Sequence, residues 1–207
     1  GALSGLCAAA EPPPDAARPR PLVLAHYMPW FEAKPASPSW GWHWTANAFD
    51  PEKGKDGRRP IASHYYPLIG PYDSGDPAVL EYQLLLMKLS GIDGVVADWY
   101  GLTNHATCPM EHRNTVDLFQ LAARLGLKFA VCYEDRTITT LVEARKLPAV
   151  DRVKHARAEL DWLRRHWFAD PAHVRIEGKP LLLSFGYDGL TDREWEEALP
   201  AAGGVVY

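Results

Sequence analysis

The sequence predicts an α/β fold of the (β/α)8 barrel type, with only about the first four β/α units present in the chain. Short apolar runs alternate four times with amphipathic helical patterns, which is the arrangement of a parallel sheet with helical crossovers. All four runs end in polar or aromatic residues, as expected where a barrel enzyme builds its site at the carboxyl ends of its strands. Four such units occupy almost all of the 207 residues, so eight do not fit.

The first unit begins with an apolar run at residues 22–27, which predicts a buried strand. An open doubly wound sheet is the alternative to a barrel. In its dinucleotide-binding form, a glycine-rich turn follows the first strand directly. Here the strand runs instead into His-Tyr-Met-Pro-Trp at residues 26–30, followed by a long polar and aromatic excursion to residue 72. This segment favours the barrel.

The second unit has clear boundary signals. Asp76 followed by Pro77 is typical of a helix start, and Gly91 of a helix end. The apolar run at residues 92–99 predicts the second strand. Asn114 then predicts the cap of the next helix.

The third and fourth units follow the same order. Residues 127–133 predict the third strand, residues 151–167 a helix and residues 180–185 the fourth strand. Thr191 and Glu194 have the spacing of a capping box, which predicts one more helix. The apolar residues at the end of the sequence predict the beginning of a further strand.

The two ends of the sequence differ in composition. Residues 1–20 are predicted to be a signal-peptide remnant and a Pro/Ala-rich tether, and residues 21–207 the barrel half. We therefore expect an exported protein, secreted or held in the periplasm or at the cell surface. A lipoprotein anchor at Cys7 is disfavoured because the large Leu6 precedes the cysteine.

Composition excludes several functional classes. Lys and Arg number 22 against 26 Asp and Glu, a net charge of −4, and no basic block predicts a nucleic-acid partner. No apolar stretch approaches the roughly 20 residues of a membrane span. His105, Cys108 and His112 lie in one segment, but their spacing matches no standard zinc site. No metal and no cofactor are predicted.

Four motifs stand in order along the predicted units. They are His-Tyr-x-Pro-Trp at residues 26–30, Gly-Pro-Tyr-Asp-Ser-x-Asp at 70–76, Gly-Ile-Asp-Gly at 91–94 and Trp-Tyr-Gly at 99–101. In order and spacing they resemble the N-terminal half of glycoside hydrolase family 99 and its family 71/99-like relatives, the endo-α-mannosidase-like enzymes. The resemblance implies a metal-free (β/α)8 barrel that hydrolyses an α-linked oligo- or polysaccharide with retention of configuration.

The sequence departs from the family pattern in two places. The family's third strand ends in Glu-Pro-Tyr. Glu134 occupies the position of that Glu, but Asp135 and Arg136 replace the Pro and the Tyr. This departure argues against carrying the family's mannan specificity over to this sequence. The family's catalytic glutamates lie in a late Asn-Glu-x-x-Glu segment, and this sequence contains no Asn-Glu. The resemblance therefore implies that the catalytic pair lies beyond residue 207.

Glu134 is also a catalytic candidate from residue chemistry alone. Side chains alternate along a strand, so Ala130, Cys132 and Glu134 share one face. The small residues suit the barrel interior, which would carry Glu134 to the mouth, where desolvation raises a carboxyl pKa and favours acid or hydrogen-bonding roles. The alternative is a strand-end carboxylate paired with Arg136 or Arg113.

Asp98, at the end of the neighbouring strand, is the second catalytic candidate. Adjacent strands lie about 4.8 Å apart, so Asp98 and Glu134 can approach the roughly 5 Å separation of a retaining pair. Alternation leaves open the opposite orientation, in which Asp98 faces the helices as a buried hydrogen-bond acceptor and Trp99 points inward.

Aromatic and polar residues near the strand ends are the predicted sugar-binding set, because sugars stack on aromatic rings and bind polar side chains. Some of the tryptophans alternatively fill a small core of the long loop itself. A non-catalytic carbohydrate-binding barrel and a polysaccharide-biosynthesis relative are the competing functions. The predicted binding residues are His26, Tyr27, Trp30, Trp42, His43, Trp44, Tyr72, Trp99, Tyr100, Asp135 and Tyr187.

Overall fold

A parallel β-sheet forms the centre of the protein. The computed structural model describes residues 20–186 and 189–207. Four strands form the sheet, and two form a separate antiparallel pair, β4 with β5. In chain order the strands are β1 (Leu24–Tyr27), β2 (Gly94–Trp99), β3 (Lys128–Tyr133), β4 (Arg175–Ile176), β5 (Lys179–Pro180) and β6 (Leu182–Ser184).

Helices connect these strands. Within the described ranges, no helix is long and apolar enough to cross a membrane. Short 3-10 turns lie at Pro51–Lys53, Ala149–Asp151 and Leu199–Ala202. The α-helices are α1 (Trp42–Thr45), α2 (Pro77–Leu89), α3 (Cys108–Arg124), α4 (Arg136–Glu143), α5 (Arg152–His166) and α6 (Asp192–Ala198).

The strand order supports the barrel type of connection. The four parallel strands follow one another as β1-β2-β3-β6, so each lies beside the next sheet strand along the chain. Successive barrel strands have this order, whereas a doubly wound sheet reverses direction at a switch point. Beyond β6, the amide of Leu182 donates to the carbonyl of Val206 at 2.9 Å, and Leu181 forms a parallel bridge with Val206. The α/β class and the parallel sheet are confirmed.

The helices cover one face of the sheet. Val95, Ala97 and Trp99 of β2 are buried in a core shared with α2, α3 and α5. Because side chains alternate along a strand, Val96 and Asp98 face the opposite side. One face of the sheet therefore holds the core, and the other face is left for the functional side chains.

The start of α3 differs from the sequence prediction. The helix begins at Cys108, six residues before the predicted cap Asn114. Asn114 instead lies inside α3, where its buried Nδ2 donates to the carbonyl of Pro29 at 2.9 Å. It thereby fastens α3 to the chain that leaves β1.

The long loop between β1 and α2 has its own small core. Ala33, Trp44 and Ile61 are buried together in it, so a tryptophan of this loop serves packing, as the alternative interpretation had it. The indole Nε1 of Trp44 donates to the carbonyl of Tyr72 at 2.8 Å. This cluster gives the loop a fixed shape beside the carboxyl end of β1.

Replacing Gly94 with alanine is expected to lower the free energy of unfolding by about 3 kcal/mol, because overpacking against rigid backbone costs this much. An added Cβ would lie 2.1 Å from the carbonyl oxygen of Lys128 on the neighbouring strand. Urea denaturation measures the loss. Gly57→Ala is the control, since its Cβ would meet open space and only the positive φ of +76° opposes it. Equal losses in both variants would contradict the prediction.

Candidate active site

A cleft of about 440 Å³ opens at the carboxyl ends of β1, β2 and β3. The carboxyl ends of the strands of a parallel sheet meet at one edge, and the predicted site residues lie at or near these ends in the sequence. Six of them line the cleft. These six are Trp30, Trp42, His43, Asp98, Tyr100 and Glu134, and they are joined by Arg136, Thr137, Thr140, Phe185 and Gly186.

Aromatic rings form one wall of the cleft. Trp30 stacks on His43 with centroids 4.1 Å apart and planes 4° from parallel, and Trp42 meets the edge of His43 at 5.1 Å. Burial lowers the pKa of His43 to about 4, so its imidazole is neutral at pH 7. The Trp42 side of this wall faces solvent, with the residue 57% exposed. The wall therefore offers a flat apolar surface beside neutral polar groups.

Two carboxyl groups line the same cleft. Asp98 is only 1% exposed, and burial, followed by the negative charge of Glu134, raises its pKa to about 7. Glu134 is half-buried and lines the same cleft. The orientation left open by the sequence is thus resolved, because Asp98 faces the cleft and Trp99 faces the helices, where it stacks near Trp162. With a pKa near 7, the protonated and ionised forms of Asp98 are both populated at neutral pH.

Glu111 is a third buried acid, which sequence reasoning did not assign to this site. It is fully buried in α3, and one carboxylate oxygen accepts a hydrogen bond from the hydroxyl of Thr107 at 2.8 Å. Burial raises its pKa to about 8, and the charges of Asp98 and Glu134 add to the effect. Helical spacing could have predicted its burial, because Glu111, Thr115 and Leu118 lie on one buried face of α3.

Helix α4 supplies cleft residues that the sequence did not predict. It starts immediately after β3 and brings Arg136, Thr137 and Thr140 to the cleft. The segment Thr-Ile-Thr-Thr at residues 137–140 is rich in β-branched residues, which favour strands over helices. Burial of Ile138 and Leu141 on one side holds the helix in spite of this composition.

Several predicted sugar-binding residues lie away from the cleft. Alternation turns Tyr27 and Trp99 toward the helices, and Trp44 and Tyr72 belong to the small core of the loop. Asp135 is buried, where its carboxylate accepts hydrogen bonds from the amide of Leu190 at 2.7 Å and the indole of Trp195 at 2.9 Å. Their side chains therefore serve packing and internal hydrogen bonding here. His26 lies at the end of β1 near Phe185, and Tyr187 falls outside the described residues.

The zinc ligands weighed from the sequence are not brought together. His112 turns inward, where its Nδ1 accepts a hydrogen bond from the indole of Trp99 at 3.1 Å. Cys108 is buried at the start of α3. In the part of the chain that the structure describes, the one grouping of three potential ligands is a different set, His26, Asp98 and Cys132.

Comparison with known proteins supports the fold. No family profile matches the chain, and no curated protein matches it. The chain is similar to the solved structure of the glycoside hydrolase family 99 endo-α-mannosidase from Bacteroides thetaiotaomicron in complex with Bis-Tris propane, with a TM-score of 0.56 and 20% sequence identity. The match covers 78% of this chain and 41% of that chain. A second structure of that enzyme gives the same score and identity, with 44% of its chain covered.

A third solved structure, of a glycoside hydrolase-like protein, has a TM-score of 0.51 and 12% identity, and covers 92% of this chain and 53% of that one. The chain thus spans about half the length or less of the proteins it matches. The resemblance drawn from the sequence motifs is confirmed at the level of the fold.

Proposed function

We propose that the complete protein is a glycoside hydrolase that acts on an α-linked glycan, a mannan or a related polysaccharide, with retention of configuration. The observation that carries the proposal is the cleft that Asp98 and Glu134 line together with the exposed ring of Trp42. The fold likeness to an endo-α-mannosidase supports the same reaction class. An exported protein that meets polysaccharide outside the cytoplasm fits this role.

Each part of the cleft has a role in glycan binding. The apolar face of a sugar ring packs on Trp42, as aromatic side chains favour flat apolar partners. The neutral imidazole of His43 and the carboxyl of Glu134 then meet sugar hydroxyls, because both are polar groups aimed into one cavity. In this proposal the two catalytic glutamates of the family pattern lie beyond residue 207, and Glu134 binds and orients the sugar beside them.

A second mechanism uses the pair within this cleft. Asp98 lies in β2, and Glu134 follows β3 two residues beyond Cys132, the direct neighbour of Asp98. The two residues are therefore diagonal neighbours with backbones about 7–8 Å apart, and their side chains must lean toward each other to reach the roughly 5 Å of a retaining pair. In this mechanism Asp98, whose pKa burial raises to about 7, is the general acid and Glu134 is the nucleophile. This mechanism requires no carboxylate from outside the described residues.

Trp42→Ala is expected to weaken binding of α-linked manno-oligosaccharides roughly fivefold, since an aromatic contact of this kind contributes about 1 kcal/mol. Isothermal titration calorimetry of the complete protein measures the affinity, and release of reducing ends measures hydrolysis. Tyr65→Ala is the matched control, because Tyr65 is 80% exposed and does not line the cleft. Equal affinities in both variants would contradict sugar binding here, and binding without hydrolysis would support the carbohydrate-binding alternative.

A further inference from the structure

Three potential metal ligands lie side by side on the sheet face that turns away from the helices. His26 comes from β1, Asp98 from β2 and Cys132 from β3, and one ligand atom of each lies within 4.8 Å of the others. Asp98 and Cys132 are direct neighbours in the strand register, and His26 pairs with Val96, two residues before Asp98. Three consecutive strands thus place a carboxylate, a thiol and an imidazole at one point.

The carboxyl group of Asp98 has no protein partner at this point. Both of its oxygens are buried, and neither forms a hydrogen bond with any described residue. A buried carboxyl without partners costs several kcal/mol, so nearly all such groups in proteins are hydrogen-bonded, ion-paired or bound to a metal. Cys132 is also buried, and its thiol is not in a disulfide. The unpartnered carboxyl points to a missing positively charged ligand.

The donor set identifies the class of ligand. A thiolate with an imidazole and a carboxylate is typical of zinc, and of other thiophilic divalent transition metals, whereas magnesium and calcium prefer oxygen ligands. A divalent cation would also offset the repulsion between Asp98 and the nearby Glu134.

We propose that His26, Asp98 and Cys132 form a binding site for a thiophilic divalent transition metal of the zinc type. Binding replaces the thiol proton of Cys132, and the carboxyl proton of Asp98 where it is present, by metal–ligand bonds, and the protons pass to solvent. His26 is the most exposed of the three, so the remaining coordination position is open to water on its side. Metal binding is compatible with the first proposed mechanism, in which the catalytic glutamates lie outside this group of residues, and it excludes the second, because metal-bound Asp98 cannot pair with Glu134.

The test is a titration of the metal-free complete protein with Co²⁺, followed by optical absorption. We expect saturation at one equivalent, with a sulfur-to-cobalt charge-transfer band in the near ultraviolet, and bleaching of that band when Zn²⁺ is added. Cys132→Ser should remove the band and weaken Co²⁺ binding by more than about 100-fold, since changes to outer-shell groups alone already cost 10- to 100-fold. Cys108→Ser is the matched control, a second buried free cysteine that should leave both unchanged.

A second variant tests the site independently in case Cys132→Ser does not fold. His26→Ala changes a residue in contact with solvent, and it should lower Co²⁺ affinity while the thiolate band persists at saturation. The proposal is overturned if the unmodified chain gives no charge-transfer band, if the band survives Cys132→Ser, or if Cys108→Ser abolishes it. None of these readouts involves a glycan, so failure of the metal site and failure of the hydrolase proposal are separate results.

Discussion

Glu134→Gln in the complete protein is expected to reduce turnover of its α-linked glycan by at least about 100-fold, the lower range for loss of a positioned acid or base. Glutamine keeps the size of the side chain but cannot ionise or transfer a proton. Glu134 lines the cleft with Asp98. It is the nucleophile of the second mechanism, and in the first it orients the sugar, where misplacement of the substrate likewise costs on the order of 100-fold. Initial rates of reducing-end release at saturating substrate measure the effect.

The control for this substitution is Glu143→Gln, at the end of α4 and exposed to solvent. It replaces the same type of side chain at the far end of α4, away from the residues that line the cleft. Thermal unfolding of both variants should match that of the unmodified protein. A Glu134→Gln protein that unfolds normally and keeps its full rate would remove Glu134 from the site.

The elements that could be predicted are those whose boundaries are set by local chemistry. Helix α2 begins at Pro77 as predicted, because the carboxylate of Asp76 accepts the amide of Ala78 at 2.9 Å. The capping box of Thr191 and Glu194 is likewise present at the start of α6. These signals depend on neighbouring residues only, so the sequence contains all of the information.

The elements that could not be predicted depend on tertiary contacts. Asparagine is typical of a helix cap, but the side-chain Nδ2 of Asn114 donates instead to the carbonyl of Pro29, 85 residues earlier in the chain. The β-branched segment of α4 is helical because Ile138 and Leu141 are buried. In both places a distant partner outweighs the local preference.

The site shows the same division at the level of single side chains. Strand-end position predicted that Asp98 and Glu134 would share a cleft, and the structure places them there. Which of Asp98 and Trp99 faces the cleft depends on the register of β2, because a shift of one residue exchanges the two faces. Hydrophobic pattern alone left that choice open, since both residues are fully compatible with a strand end.

Buried acids in this protein fall into two groups that sequence does not distinguish. Asp135 and Glu159 are buried with partners: Asp135 holds Leu190 and Trp195, and Glu159 accepts the hydroxyl of Tyr133. Such acids fasten loops to the framework. Asp98 has no such partner within the described ranges, which is why the functional proposals converge on it.

The buried carboxyl groups of Asp98 and Glu111 make the stability of the protein depend on pH. The pKa values of Asp98 and Glu111, about 7 and about 8, lie above the ordinary values of 3.8 and 4.5. Between about pH 4 and pH 8 the unfolded chain therefore binds fewer protons at these groups than the folded chain. Their contribution to stability is present in full below pH 4 and is lost as the pH rises through 7 and 8.

Asp98→Asn and Glu111→Gln are expected to raise the free energy of unfolding at pH 8, by up to about 4 kcal/mol for Asp98, while changing it little at pH 4. The amides mimic the neutral carboxyl groups that the fold favours, so they remove the cost of ionising a buried group. Urea denaturation at both pH values, with a chelator to keep the protein metal-free, measures the difference. Asp117→Asn, exposed on α3, is the control and should be neutral at both. Variants that are less stable than the unmodified protein at pH 8 would show that ionised carboxylates are compensated in the folded state.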